Sequence, residues 1–430
     1  MRSEAVLMRP EQLDLTSFVR AGDLVMWGQA CARPIGLTAV LADQAAQIGP
    51  VRCFAGLGID DPTGRSVLDA PAVVTMSYTG MGHRRAEAAG RLEVLPAHYS
   101  AIAAAIDDRR LVVDVALVQA TRAAPDGLHR LALAADYMEA ALRHARVVIA
   151  EVNEQAPLVV DAPVVRPERV AAWVESSYEP LTSPPSESGA VERMISAHIA
   201  DLVQDGSTLQ VGLGKVPEAV VAALVDRREL GIHSGTVGDA LARLVETGAV
   251  TNAKKGRDHG VSVTGLVMGS RAVFDAVDDN PSFALRPIGY THDPDVLASL
   301  RQLVTINSAI EVDLSGQVNC EVAAGRYVGA VGGALDFLRG ASRSRGGLPI
   351  IALPSTAGGR SRIVNTLSGP VTIPRGDAPI VVTEHGVADL RGLSLARRRE
   401  CLLAVADPAH VTALEHSQPV PGNLSTRESP

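Results

Sequence analysis

The sequence predicts an α/β protein with an open parallel sheet in each half of the chain. Three observations carry this. Short β-branched runs alternate with Ala-rich helical patterns, the alternation occurs twice, and a Pro- and Ser-rich segment at 179–188, EPLTSPPSES, separates the two stretches. Two domains are expected, at 1–180 and 189–415, with a loose tail at 416–430.

In the first half, LVVDVALV (111–118) and ARVVIAEV (145–152) read as strands, and LALAADYMEAALRHA (131–145) reads as the helix between them. In the second half, Val191, Met194, Ile195, Ile199, Leu202 and Val203 form one apolar helical face. Asp205-Gly206 then turns the chain into a strand at 207–211, STLQV. The runs VVIAEVNEQ (147–155) and IVVTEHGVA (380–388) share a pattern, a faint sign that the two halves are related.

Composition narrows the classes of function. Apolar residues make up 47% of the 430 and charged residues 20%, which suits packed cores. The net charge is −8 and the basic residues are scattered, so neither nucleic acid nor an anionic membrane is an expected partner. Cys31, Cys53, Cys320 and Cys401 form no C-x-x-C pair, so no metal site and no disulfide framework is expected. The first residues lack a long apolar run and no membrane-length apolar stretch follows, so a soluble cytoplasmic protein is the expectation.

Four segments can carry chemistry. In LQVGLGKVPEAVVAALV (209–225), a strand leads through Gly212 and Gly214 into a helix with Pro217 as its first residue. Such a loop offers N–H groups to a phosphate or an oxyanion, or is simply a packed turn. Val216 after Lys215 spoils a P-loop, and Pro217 stands where a dinucleotide fingerprint needs glycine. In ELGIHSGTVGDALARLVETG (229–248), a strand ending at Ile232 precedes His233, Ser234 and Gly235. Neighbours on a strand end point to opposite sides, so His233 is either a base or a satisfied structural histidine.

Within VTINSAIEVDLSGQVNCE (304–321), Glu311 and Asp313 share one strand face, as a catalytic pair or as a polar surface. Finally, Gly329, Gly332 and Gly333 in YVGAVGGALDFLRGA (327–341) imply close approach of a ligand or another segment. Downstream, Arg360 and Arg362 suit phosphate contacts or a solvated surface.

Read in order, AEVNEQAP, DGSTLQVGLGKVPEAV, LGIHSG, FDAVDDNP, LRPIGYTHDP, INSAIEVDLSGQV, VGGALDFLRGA and IVVTEHGVADLRG resemble the acetyl-CoA hydrolase/transferase family. The likeness runs from about residue 20 to about 410 and is strongest to the 4-hydroxybutyrate and butyrate CoA-transferase branch. It implies two similar α/β domains of the CoA-transferase type, an acyl-CoA bound at their junction, coenzyme A as the carrier with no metal, and a homodimer. It also implies a glutamate nucleophile at the end of a motif resembling G-I-H-S-E, where this chain has Gly231-Ile232-His233-Ser234-Gly235. Gly235 cannot form an acyl-glutamyl anhydride.

A second motif resembling G-x-G-G-Q-x-D-F appears as residues 330–337, with Ala330 for the first glycine and Ala334 for the glutamine. By resemblance, Val211, Gly332 and Gly333 are the N–H donors to the thioester, and Gly212, Gly214, Gly329, Ala334 and Arg360 line the CoA. Three readings follow. The acyl group passes directly to water or a small acceptor, with His233, Asp239 or Glu311 as base; Glu311 is a relocated nucleophile; or the chain binds CoA without catalysis.

Overall fold

Buried β-branched runs pair in parallel, and here they do so twice. A computed structural model describes residues 7–59, 66–183 and 187–416. Its first sheet contains β1 (Leu7–Met8), β2 (Leu24–Trp27), β3 (Val51–Phe54), β4 (Val73–Ser77), β5 (Leu92–Val94), β6 (Val115–Ala120), β7 (Val147–Asn153) and β8 (Val170–Ser176). The order is β1-β8-β7-β6-β2-β3-β4-β5, with every neighbour parallel. The helices of this half are α1 (Ile35–Ile48), α2 (Arg84–Ala88), α3 (Tyr99–Asp107) and α4 (Met138–His144).

The second sheet contains β9 (Thr208–Val211), β10 (Gly231–Val237), β11 (Ser262–Val267), β12 (Phe283–Leu285) and β13 (Leu303–Ser308). Its order is β12-β11-β10-β9-β13, continued by Leu348–Ala352, Ile380–Thr383 and an antiparallel edge strand, Gly386–Asp389. With it go α5 (Ala190–Leu202), α6 (Lys215–Ala222), α7 (Asp239–Glu246), α8 (Arg271–Val277), α9 (Ile288–Thr291), α10 (Pro294–Ser299) and α11 (Ala334–Arg343).

Apart from the edge strands β1 and Gly386–Asp389, the two sheets share one strand order, in which the chain starts at a central strand (β2 or β9), runs to one edge, and returns to the other side of that strand. That places a topological switch point at β2/β6 in one sheet and at β9/β13 in the other, where open α/β sheets leave a crevice for ligands. The similar runs at 147–155 and 380–388 mark this repeat one strand out of register. β7 corresponds in order to Leu348–Ala352, and Ile380–Thr383 corresponds to β8.

Residues 131–137 depart from the expected helix. Only Met138–His144 is helical, and the segment before it crosses to the other half of the molecule. There Ala134 bridges Leu266, Ala135 N donates to Gly265 O at 3.0 Å, and Val267 N donates to Leu133 O at 2.7 Å. Tertiary hydrogen bonds override the local preference of an Ala-rich run. Met194 is also misplaced on the expected apolar face of α5 and is 51% exposed. Leu24 and Met26 of the first half and Leu209 and Ile306 of the second fall within one continuous core. The described residues hold no helix long and apolar enough to cross a membrane. Residues 184–186 of the expected linker and the expected tail from 417 onward lie outside the described residues.

Candidate active site

The two switch points face a common cavity of about 320 Å³. From the second sheet come Val211 at the end of β9, Gly235 and Thr236 of β10, and Asn307 and Ser308 of β13. Gln29, Leu57 and Tyr78, just beyond β2, β3 and β4, enter from the first, with Tyr99 of α3. Residues 328–334 and Phe337 complete the wall.

Gly235 lies inside β10, which continues past Ile232 to Val237. Its φ is outside the left-handed region, and a Cβ there would sit 3.3 Å from His292 Cε1 and 3.5 Å from Phe337 Cε2. His233 lies two residues before Gly235 on the same face of β10, but deeper, and it does not line the cavity. The His233 ring is fully buried with Nε2 3.0 Å from Thr291 O, and burial, then the Lys255 charge, lowers its pKa to about 3. Its Nδ1 has no hydrogen-bond partner among the described residues, so the ring is only half satisfied. Ser234 Oγ accepts from Val211 N and donates to Val211 O, each at 3.2 Å.

Val211 therefore does not present a free N–H, because that group is already spent on Ser234. Gly212 N is likewise engaged, donating to Ile306 O at 2.8 Å. Gly214, with φ +121°, caps α6 and does not line the cavity, and Pro217 is the third helical residue rather than the first.

At the opposite wall, Gly332 adopts φ +56°, a left-handed turn that favours glycine, and its carbonyl accepts from Tyr99 N at 2.9 Å. Gly333 caps α11, whose first three amides have no partner within the helix. The cap is pinned to the other half of the molecule, since Asp336 accepts from Ser100 N at 3.2 Å and from Ser100 Oγ at 2.9 Å. Ala334 lines the cavity at the start of this helix. Gly329 also lines it, but its carbonyl is taken up by Gly80 N at 2.8 Å and Thr79 Oγ1 at 3.1 Å.

His292 also lines the cavity and was not among the sequence candidates. Its ring packs between Tyr99, at a centroid distance of 5.0 Å, and Phe337, at 4.5 Å. Nδ1 lies 2.8 Å from Thr291 Oγ1, and burial keeps the ring neutral by lowering its pKa to about 3. The motif LRPIGYTHDP contains it, yet nothing local sets it apart. Gln29, Tyr78 and Tyr99 were also unseen. Gln29 Oε1 accepts from Tyr78 OH at 2.7 Å and from Leu57 N at 2.9 Å, while Gln29 Nε2 donates to Tyr99 OH.

The remaining sequence candidates lie elsewhere. Glu311 is buried in a short strand, Glu311–Asp313, where its carboxylate accepts from Asn319 Nδ2 at 3.0 Å, Ser368 Oγ at 2.9 Å and Gly369 N at 3.3 Å. Asp313 likewise binds Ser315 and Gln317 at a turn. Asp239 accepts from Ser270 N at 2.9 Å and from Ser270 Oγ. Arg360 is exposed on a hairpin, and Arg362 donates to Ala309 O and Ile310 O, so neither guanidinium faces the cavity. Among the described residues no carboxylate lines the cavity. The Cys320 thiol does, with burial and the nearby Glu321 raising its pKa to about 12.

The N-terminal domain of the acetyl-CoA hydrolase/transferase family matches residues 7–164, and the C-terminal domain of that family matches residues 269–418. This chain belongs to the acetyl-CoA hydrolase/transferase family. It is 37% identical to the 4-hydroxybutyrate coenzyme A transferase of Clostridium kluyveri over 77% of its own length and 78% of that protein. Among solved structures, RipA from Yersinia pestis superposes with a TM-score of 0.88 at 32% identity, covering 95% of this chain and 96% of RipA. The 4-hydroxybutyrate CoA-transferase of Porphyromonas gingivalis gives 0.80 at 31% identity, with 96% of each chain covered. The acetyl-CoA hydrolase/transferase fold thus accounts for both sheets, and the chain is an enzyme of this CoA-transferase and hydrolase class.

Proposed function

We propose that this enzyme transfers the acyl group of a short acyl-CoA directly to water or to a small acceptor, without a glutamyl intermediate. One observation carries the reading: the cavity at the domain junction has Gly235 on β10 and no carboxylate in its described wall. A buried Glu311 saturated by hydrogen bonds outside that wall is a poor substitute, since a nucleophile must reach the carbonyl at about 3 to 3.5 Å. A protonated Cys320 thiol is equally unsuited to attack.

The thioester carbonyl fits beside Gly235, between His292 and the Gly332-Gly333 turn. Thr291 Oγ1 lies 2.8 Å from Nδ1 and 3.4 Å from Pro287 O; in the tautomer where the hydroxyl turns to Nδ1, His292 carries its proton on Nε2, toward the developing oxyanion. The unpaired amides at the start of α11 add to the same field. A cavity of about 320 Å³ suits a short acyl group, as do the 4-hydroxybutyrate and butyryl substrates named for relatives. The family also supports a homodimer, which sedimentation tests.

Turnover in ¹⁸O-water separates the mechanisms. Release of CoA with ¹⁸O in the product acid, and none in any protein carboxylate after repeated turnover, is the expected result. Label in a protein glutamate would overturn the direct mechanism.

A further inference from the structure

Direct attack needs a group to take the attacking proton, and the cavity wall holds no carboxylate. Carboxylates do lie beside it: Glu218 and Asp239 in an adjoining pocket that shares Val211, Gly212, Leu213 and Thr236 with the cavity, and Asp136 among the cavity's tyrosines. Asp136 sits in the segment that crosses between the two sheets and is fully buried. Its main chain is fixed from the second half of the molecule, with Asp136 N donating to Gly265 O at 3.4 Å and Ile288 N donating to Asp136 O at 3.0 Å. Its Oδ1 accepts from Met138 N at 3.0 Å, whereas Oδ2 has no partner at full hydrogen-bond geometry among the described residues, although Gln29, Tyr99 and the Tyr137 backbone lie close enough to favour its charged form.

An unpartnered buried carboxylate oxygen is costly unless it serves a purpose or carries a proton. The side chains around it are Gln29, Tyr78, Tyr99 and Tyr137, all neutral. Gln29, Tyr78 and Tyr99 are also cavity wall, so one polar cluster touches both the acyl site and Asp136. Within it, Gln29 Oε1 is filled by two donors and Tyr99 OH already accepts from Gln29 Nε2. The Tyr99 hydroxyl neighbours both Tyr78 and the Asp136 carboxyl, whose pKa it helps to hold down.

We propose that Asp136 acts through Tyr99 as the proton acceptor for attack on the thioester, in place of a carboxylate in the cavity itself. This rests on the direct transfer argued above. Water oxygen bonds the acyl carbon, the carbon–sulfur bond breaks, and CoA leaves as the thiolate. One water proton passes to the Tyr99 oxygen as the Tyr99 proton passes to the Asp136 carboxylate. Asp136 then gives that proton to the thiolate or to solvent, and the cluster is restored. Burial raises the Asp136 pKa to about 7, against the lowering effect of the Met138 N–H, so the carboxylate is available as base at and above neutral pH.

The test is the pH dependence of CoA release from a short acyl-CoA by wild type, Asp136→Asn and Tyr99→Phe, each checked for folding by circular dichroism. Wild-type kcat should rise with pH to a plateau above about pH 7. Both variants should lose this limb and fall about a hundredfold, with KM changed less than about twofold. A second readout needs no turnover: the infrared carbonyl band of a protonated carboxyl should persist in the wild type at pH 6, disappear by pH 9 and be missing in Asp136→Asn. Retention of the wild-type limb in folded Tyr99→Phe, or an absent band, overturns the proposal. A titrating band in an enzyme that turns over no acyl-CoA would instead count against direct transfer.

Discussion

His292 and Gly333 are fitted to each other so closely that a Cβ on Gly333 would sit 2.5 Å from His292 Nε2. Gly333→Ala must therefore displace the imidazole from its place between Tyr99 and Phe337. Removing one well-aimed oxyanion donor costs about a hundredfold in kcat. The same loss is expected for Gly333→Ala and for His292→Phe, with the thermal midpoint of Gly333→Ala lowered by only a few degrees. Steady-state CoA release and thermal melts check this. A Gly333→Ala enzyme of full activity would remove His292 from the oxyanion site.

The glycines that shape this wall were legible in the sequence because a left-handed turn and a helix cap leave a mark that any reader of Gly332-Gly333 can see. β6 was legible for a related reason, since a strand buried on both faces reads as an unbroken apolar run. Residues 131–137 misled because alanine favours a helix locally, while hydrogen bonds to Gly265 and Leu266 decide the outcome. Gln29, Tyr78 and Tyr99 follow three different elements of the first sheet, and only docking of the two halves brings them to Gly235. No spacing rule encodes that meeting. The amide of Val211 illustrates the converse, where the residue was found but its N–H was already used by Ser234.

His233 should make the protein acid-sensitive. Its folded pKa of about 3 is below the unfolded value, so the unfolded chain binds the extra proton. The stability it contributes is complete above about pH 6.5 and is lost as pH falls toward 3. Between pH 6.5 and 5 the loss is about 2 kcal/mol. Urea melts at the two pH values should show it, and His233→Gln should be less stable at pH 7 yet lose less on acidification. An unchanged pH dependence in the variant would mean that the ring is not held neutral.

Glu311→Gln separates a structural from a chemical role. The carboxylate accepts from Asn319, Ser368 and Gly369, so substitution by an amide misplaces donors in a buried network and should cost about 1 to 3 kcal/mol. Because Glu311 lies outside the cavity wall, kcat of the folded fraction should stay within about twofold of wild type. Loss of all turnover in a folded Glu311→Gln enzyme, together with a trappable adduct on Glu311 in the wild type, would restore the relocated nucleophile.

Gly235→Glu tests the site most directly. Gly235 does not use a left-handed φ, so the strain of about 1 to 2 kcal/mol that a side chain meets in that region does not arise. A Cβ would touch His292 and Phe337 at 3.3 to 3.5 Å, tight but short of a clash, and its carboxylate would then extend within the cavity. Placed against a bound thioester beside the His292 Nε2–H, it should form an acyl anhydride and then a glutamyl-CoA thioester. CoA transfer to acetate should appear, and borohydride should trap the adduct by intact mass. Direct hydrolysis should fall, because the side chain fills the space through which water approaches. A folded variant that binds acyl-CoA but yields neither transfer nor adduct would show that the carbonyl does not dock beside Gly235, and the oxyanion role of His292 would fall with it.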